Sequence, residues 1–324
     1  MRVLIIGGAG MVGRKLAERL AKDGRLGTRE ISHLTLQDVV AAQKPAGAKF
    51  AVDIVTGDLS DPASAPKLVA AKPDVIFHLA AIVSGEAEVE FDKGYRINMD
   101  GTRYLLEAVR QAGHKPRVVF TSSIAVFGAP FPDKIGDEFF TTPLTSYGTQ
   151  KAIGELLLAD YTRKGLLDGV GIRLPTICVR PGTPNKAASG FFSNIMREPL
   201  AGHEANLPVS EDVRHWHASP RSAVGFLVHA ATMDTAKIGP RRNLSMPGLS
   251  VTVGEQIAAL RKVAGDKVAA RITRVADPAI VKIVDGWPRN LDTKRAESLG
   301  FKAESTFEEI IRIHIEDELG GKIA

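Results

Sequence analysis

The sequence predicts an α/β protein with a doubly wound parallel sheet and a smaller C-terminal lobe. Over the first 180 or so residues, short apolar runs alternate with amphipathic stretches. The runs are continuously apolar rather than alternating, as strands covered on both faces require. Beyond residue 180 the rhythm breaks at Pro181, Pro184, Pro199, Pro208 and Pro220. The reading is therefore a nucleotide-type α/β domain over 1–180 and a substrate lobe over 181–324, partly interleaved with the first.

The elements follow in order. Residues 3–6 read as a buried strand, and 12–22 as a helix with Leu16 and Leu20 at helical spacing. Residues 34–36 form a second strand, ended by Gln37-Asp38, and 51–56 a third, followed by Gly57-Asp58-Leu59. A fourth strand spans 75–79. Residues 101–112 are a helix with Tyr104, Leu105, Ala108 and Val109 on one side. Residues 117–121 are a fifth strand, 146–164 a long helix, and 171–174 a sixth strand. Right-handed crossovers would open a ligand crevice at the carboxyl ends of these strands.

Composition narrows the class. With 44% hydrophobic and 24% charged residues the chain has enough apolar surface for a core, which excludes a disordered protein. No apolar stretch reaches membrane-spanning length. The apolar opening stops at glycine after four residues, too short for a signal-peptide core. The single cysteine, Cys178, excludes an internal disulfide and reads as a buried thiol in a reducing, cytoplasmic setting. The net charge of +5 comes from scattered Lys and Arg, without the clustering that nucleic acid demands, and suits small anionic ligands.

Gly7-Gly8-Ala9-Gly10-Met11-Val12-Gly13 follows the first strand and opens the first helix. Gly7, Gly10 and Gly13 permit a tight turn and close backbone approach to a pyrophosphate, and the helix N-terminus supplies unpaired N–H groups. This is the dinucleotide fingerprint of a Rossmann domain, with Met11 and Val12 beside the phosphates. Asp38, ending the second strand, accepts hydrogen bonds from a ribose diol and repels a 2′-phosphate. Val39 and Val40 follow with no arginine, so the expected cofactor is NAD rather than NADP. Asp58 and Leu59 are placed to meet the adenine, and Ala80 and Ala81 to let backbone lie against the cofactor.

Ser122-Ser123 ends the fifth strand, and Tyr147 and Lys151 stand four residues apart on one helix face. A free tyrosine, with a pKa of ~10, is a poor base near neutrality. A lysine ammonium and a nicotinamide cation nearby would lower it. Tyr147 is then the catalytic base, Ser123 holds the reacting oxygen, Lys151 tunes the tyrosine and holds the nicotinamide ribose, and Ser122 adds a second hydroxyl to substrate and cofactor.

With these pieces the chain resembles the extended short-chain dehydrogenase/reductases of the NAD-dependent epimerase/dehydratase superfamily. The resemblance rests on the glycine loop, Asp58-Leu59, His78-Leu79-Ala80-Ala81, Asn98-Met99-Asp100-Gly101-Thr102, Thr121 through Gly128, and Tyr147 to Lys151, in the family's order. It implies that Asn98 lies near the cofactor, that Pro175-Thr176-Ile177 passes the nicotinamide, and that the protein is a homodimer through helices 101–112 and 146–164. Phe127 departs from the tyrosine usual there, which bears on the substrate pocket. Val179-Arg180-Pro181 replaces the Tyr-Gly-Pro of sugar-nucleotide members. The stretch from Arg173 to Ser193 is similar to a subgroup that oxidises C2 of a four-carbon sugar acid to the 2-oxo acid.

A small hydroxy acid needs a carboxylate anchor. Arg180 is the candidate, because a guanidinium binds carboxylate bidentately, with Lys186 second. His215 and His217, two apart, lack further ligands at metal-binding spacing and read as pocket lining or interface, so no metal is expected. Trp287-Pro288-Arg289 belongs to the lobe. The rival readings are a sugar-nucleotide epimerase or dehydratase that retains NAD, and a non-catalytic dinucleotide sensor.

Overall fold

The computed structural model describes residues 1–182 and 188–324. Strand β1 (Arg2–Ile6), helix α1 (Met11–Asp23), β2 (His33–Asp38), β3 (Ala51–Thr56) and β4 (Val75–His78) build the first half of a parallel sheet. Helix α2 (Gly101–Ala112), β5 (Arg117–Ser123), helix α3 (Ser146–Arg163) and β6 (Asp168–Leu174) build the second. The sheet has seven strands in the order β9-β6-β5-β4-β1-β2-β3, all pairs parallel, where β9 is Asn243–Ser245. The order reverses between β1 and β4, so the crevice opens at the carboxyl ends of those two strands.

Both faces of the sheet are covered. Leu16, Ala17 and Leu20 of α1 pack on one side with Ile5, Leu34 and Phe77. Leu105, Leu106 and Val109 of α2 pack on the other with Leu4, Ile6 and Ile76. Each fully buried side chain of this size stabilises the fold by roughly 1.5–3 kcal/mol relative to exposure.

The strands run longer than apolarity alone predicts. Strand β5 continues to Ser123 because Ser122, a polar residue in a buried strand, finds a buried partner in Glu155. Strand β6 begins at Asp168 rather than 171, since Asp168 accepts from both Arg117 and Arg242. After residue 180 the chain twice returns to the sheet, through helix α5 (Pro220–Thr232), whose Phe226 and Leu227 join the sheet's core, and through β9 itself.

The C-terminal lobe has its own core. Cys178, buried as the sequence predicts, lies there with Val179, Phe192, Ile195, Ile257, Leu260 and Ile310. Helix α4 (Gly190–Leu200) carries Phe191, Phe192, Ile195 and Met196 into it. A small sheet joins β7 (Thr176–Ile177), β8 (Arg214–Ala218) and β10 (Leu249–Thr252). Parallel pairing of β7 with β8 sets His217 opposite Thr176 and carries the lobe up to the crevice. Among the described residues no helix is long and apolar enough to cross a membrane.

Candidate active site

A cleft of about 410 Å³ runs from the glycine loop to the lobe. At one end its wall is backbone. Gly7 has φ +92°, a conformation that side chains disfavour, and its N–H and that of Gly8 both donate to Gln37 O. A Cβ on Gly13 would stand 2.1 Å from Gly7 O, and one on Gly7 2.7 Å from Ala80 N, so the turn closes only with glycine at both places. Gly10 caps α1 without a side chain, which leaves the first N–H groups of the helix for an anion. Asp38 reaches this loop, its Oδ2 accepting from Ala9 N at 2.9 Å. Gly7, Gly10, Met11, Val12, Gly13 and Ala81 all border the cleft, a cradle that suits a pyrophosphate.

Other residues expected near the cofactor lie further off. Ala80 backs the glycine loop, and its N–H donates to Ile6 O. Leu59 is buried in the core and does not border the cleft. The Asp58 carboxylate accepts from Ser60 N, Ser60 Oγ and Arg96 Nη1, bonds that hold its pKa below the usual range against the opposing effect of burial. Asn98 is 3% exposed and clamps Ile82 through both of its backbone groups, while its Nδ2 also donates to Gln150 Oε1. It positions the cleft wall at Ile82 rather than lining the cleft.

The middle of the cleft holds the titratable groups. Thr145 caps α3 by accepting from Gly148 N. A Cβ on Gly148 would lie 2.2 Å from Ala125 O, so glycine there lets the helix press against the end of β5 and brings Tyr147 to Ser123. No periodicity argument finds this glycine. Ser123 Oγ accepts from Ala125 N at 3.1 Å and lies beside the tyrosine hydroxyl. Burial pushes Tyr147 up to about 12, against the Arg180 guanidinium and the nearby Ser123 hydroxyl, which both favour the phenolate. Lys151 Nζ donates to Thr121 O at 2.8 Å and lies 5.7 Å from the Tyr147 ring centre. Burial draws the ammonium down to about 8, and Glu155 opposes that shift. Arg180 thus adds a charge that acts on the phenol, one that spacing along a helix does not reveal.

Ser122 is more constrained than Ser123. It borders the cleft but is 2% exposed, and its hydroxyl donates to Glu155 Oε1 at 2.6 Å. Glu155 also accepts from Arg173 Nε and Nη2, a buried pair under the cleft floor. With its proton committed there, the Ser122 hydroxyl can meet a ligand in the cleft only as an acceptor.

The far end of the cleft is made of side chains from distant segments. Pro175, Thr176, Ile177, Arg180, Ser189, Ser193, Asn194, Arg197, His215, Trp287 and Pro288 border it. Arg180 donates from Nε to Ile177 O and from Nη2 to Ser189 Oγ, and among the described residues no carboxylate pairs with it. Arg197, by contrast, is paired with Glu198. Lys186 lies outside the described residues.

His215 donates from Nδ1 to Pro288 O at 2.8 Å, so its Nε2 accepts the Thr176 hydroxyl at 2.7 Å. It stacks on Phe192, and burial holds it near 4 and neutral. His217 is fully buried, accepts from Gln256 Nε2, and is held well below its ordinary pKa by burial. Among the described residues no three His, Cys, Asp or Glu side chains gather to hold a metal. Sequence reasoning expected His215 as pocket lining and Trp287 facing the substrate, and both border the cleft; it missed Arg197 and Asn194.

The NAD dependent epimerase/dehydratase family matches residues 3–218. The chain belongs to that family. Its cofactor is accordingly a nicotinamide dinucleotide, which the glycine cradle and helix N-terminus fit. A D-erythronate dehydrogenase from Cupriavidus necator is 49% identical over 321 residues, 98% of each chain. Another from Haemophilus influenzae is 42% identical over 98% of this chain and 100% of its own. Among solved structures, a nucleoside-diphosphate-sugar epimerase from Agrobacterium tumefaciens superposes with a TM-score of 0.98 at 67% identity, covering 100% of this chain and 96% of that one.

Proposed function

We propose that the protein is an NAD-dependent dehydrogenase of small sugar acids, oxidising D-erythronate at C2 to 2-oxo-D-erythronate. One observation carries this reading: Tyr147, Ser123 and Arg180 converge on the cleft that the glycine loop opens. The names of the two relatives aligned over nearly the whole chain support it.

The chain's own residues supply binding and proton transfer. Tyr147 Oη, as phenolate, takes the proton of the C2 hydroxyl, and Ser123 Oγ holds the same oxygen. The Arg180 guanidinium binds the carboxylate and favours the phenolate. Lys151 holds the nicotinamide ribose and, with the cationic ring, completes the lowering of the tyrosine pKa from its buried value. A bound nicotinamide would supply the hydride acceptor for this oxidation. Asp38 favours NAD over NADP, its carboxylate receiving the ribose diol. Gly7, Gly10, Met11, Val12, Gly13, Ala80, Ala81, Pro175 and Ile177 shape the cofactor side. The same reading takes the protein as a cytoplasmic homodimer, with the exposed Leu156 of α3 on the shared face.

The test is NADH formation across four- and five-carbon aldonates with wild type and Tyr147→Phe. Loss of the general base lowers the rate by about 10²–10⁴-fold, and a variant at full rate contradicts the mechanism. A second reading follows from the name of the Agrobacterium structure. A nucleoside-diphosphate-sugar epimerase would keep its NAD through turnover, yield no net NADH and interconvert a nucleotide sugar.

A further inference from the structure

The far end of the cleft also bears on which acid is bound, given the dehydrogenase reading above. Donor and acceptor bookkeeping at Thr176 decides the matter. The Pro288 carbonyl can only accept, so His215 Nδ1 carries the ring proton and Nε2 does not. The Thr176 hydroxyl must then donate to Nε2, and its single proton is committed. The arrangement is held from several sides. His215 is 3% exposed, stacked on Phe192 at 5.2 Å with the planes 4° apart, and 5.2 Å from the Trp287 ring. Thr176 Oγ1 keeps acceptor lone pairs and no donor, on a half-buried residue that borders the cleft. Among the described residues no donor reaches it other than through this bond.

One residue on, the Ile177 carbonyl receives Arg180 Nε, so the donor-only guanidinium is fastened beside the acceptor-only oxygen. A carboxylate satisfies the first and a hydroxyl the second. The hydroxyl of the reacting carbon is already taken by Tyr147 and Ser123.

We propose that Thr176 Oγ1, oriented by His215, accepts a hydrogen bond from a hydroxyl at C3 or C4 of the substrate and so restricts the enzyme to polyhydroxy acids. Thr176 is a specificity-determining residue and His215 the positioning residue behind it. A deoxy acid leaves the Thr176 oxygen facing the cleft without a donor, and sites built around a substrate hydroxyl discriminate strongly against its absence.

The experiment compares kcat/KM for erythronate, 2,3-dihydroxybutanoate and 2,4-dihydroxybutanoate, with the KM for NAD measured alongside. Wild type is expected to disfavour one of the two deoxy acids by about 10²-fold. Thr176→Val removes that preference, to within about threefold, chiefly by lowering the rate with erythronate. Thr176→Ser, which keeps the hydroxyl, retains it, and His215→Phe, which keeps the stacking but not the acceptor, weakens it. Equal use of all three acids by wild type overturns the proposal while leaving the dehydrogenase reading intact. So does a Thr176→Val enzyme that keeps the preference, or one whose only change is a higher KM for NAD. Absence of NADH formation from every acid with wild type overturns both readings together.

Discussion

The two ends of the cleft are built from different material. At the dinucleotide end the surface is backbone: a turn closed by Gly7 and Gly13, the open N-terminus of α1, and the strand end around Ala80. At the substrate end it is side chain: Arg180, Arg197, Thr176, His215 and Trp287, from segments more than a hundred residues apart. A backbone cradle tolerates one residue type at each constrained position, and Gly7 and Gly13 fall within a single seven-residue loop. A side-chain pocket has many solutions, and its members meet only once the lobe has folded. The first end therefore serves a cofactor shared by a whole family, and the second can be altered for each substrate.

Substitutions at the two ends should fail in different ways. Gly13→Ala places a methyl against Gly7 O at 2.1 Å, so the loop itself must move. NAD affinity is expected to fall by ~100-fold or more, with a lower melting temperature, since overpacking a tight site costs about 1–3 kcal/mol or more. Fluorescence titration with NADH and a thermal melt measure both. Unchanged NADH affinity would break the contrast between the ends.

Arg180→Gln touches only the side-chain end. KM for the acid should rise by ~30-fold, corresponding to about 2 kcal/mol for an unpaired carboxylate, while NAD affinity stays unchanged. The sign of the accompanying pH shift follows from charge. A cation near the phenol stabilises the phenolate, so removing it raises the Tyr147 pKa further. The alkaline rise of kcat/KM should move to higher pH. A shift to lower pH would contradict the assignment of Arg180 to the phenol.

A third effect concerns both ends together. Burial holds His78, the last residue of β4 at the dinucleotide end, near 3, and His215 near 4 at the other. Both imidazoles are neutral when folded and titrate near 6.5 when unfolded. Below that value the unfolded chain binds protons that the folded chain refuses, so stability falls as pH drops from ~6.5 towards ~4. The slope is about 1.4 kcal/mol per pH unit for each imidazole. Denaturant midpoints from pH 7.5 to 5 should decline, and less steeply in His215→Phe. A flat profile would contradict buried neutral histidines.

The same division explains what the sequence reveals. Strands β1 and β4 are readable because burial on both faces writes continuous apolar runs, helices α1 and α2 because their spacing is helical, and the glycine loop because a tight turn writes glycine. Tyr147 and Lys151 are readable because helical spacing joins them to one face. Ser122 and Ser123 look alike in sequence, and only the fold separates them, by offering Glu155 to the first and Tyr147 to the second. Glu155 itself lies one turn beyond Lys151, and its pairing with Arg173 depends on β6 and α3 meeting. Strand β9 has three residues in a proline-rich stretch and joins the sheet edge through pairing with β6, which no local pattern announces. Arg197 and the orientation of His215 depend on contacts across the lobe.

On the proposed function, one cleft joins a freely exchanging dinucleotide to a small sugar acid. The most direct measurement is the number of NADH molecules formed per enzyme when wild type is given D-erythronate and excess NAD. The account predicts many NADH per active site, with appearance of the 2-oxo acid in equal amount. No net NADH, together with tightly retained NAD and interconversion of a nucleotide sugar, would contradict it.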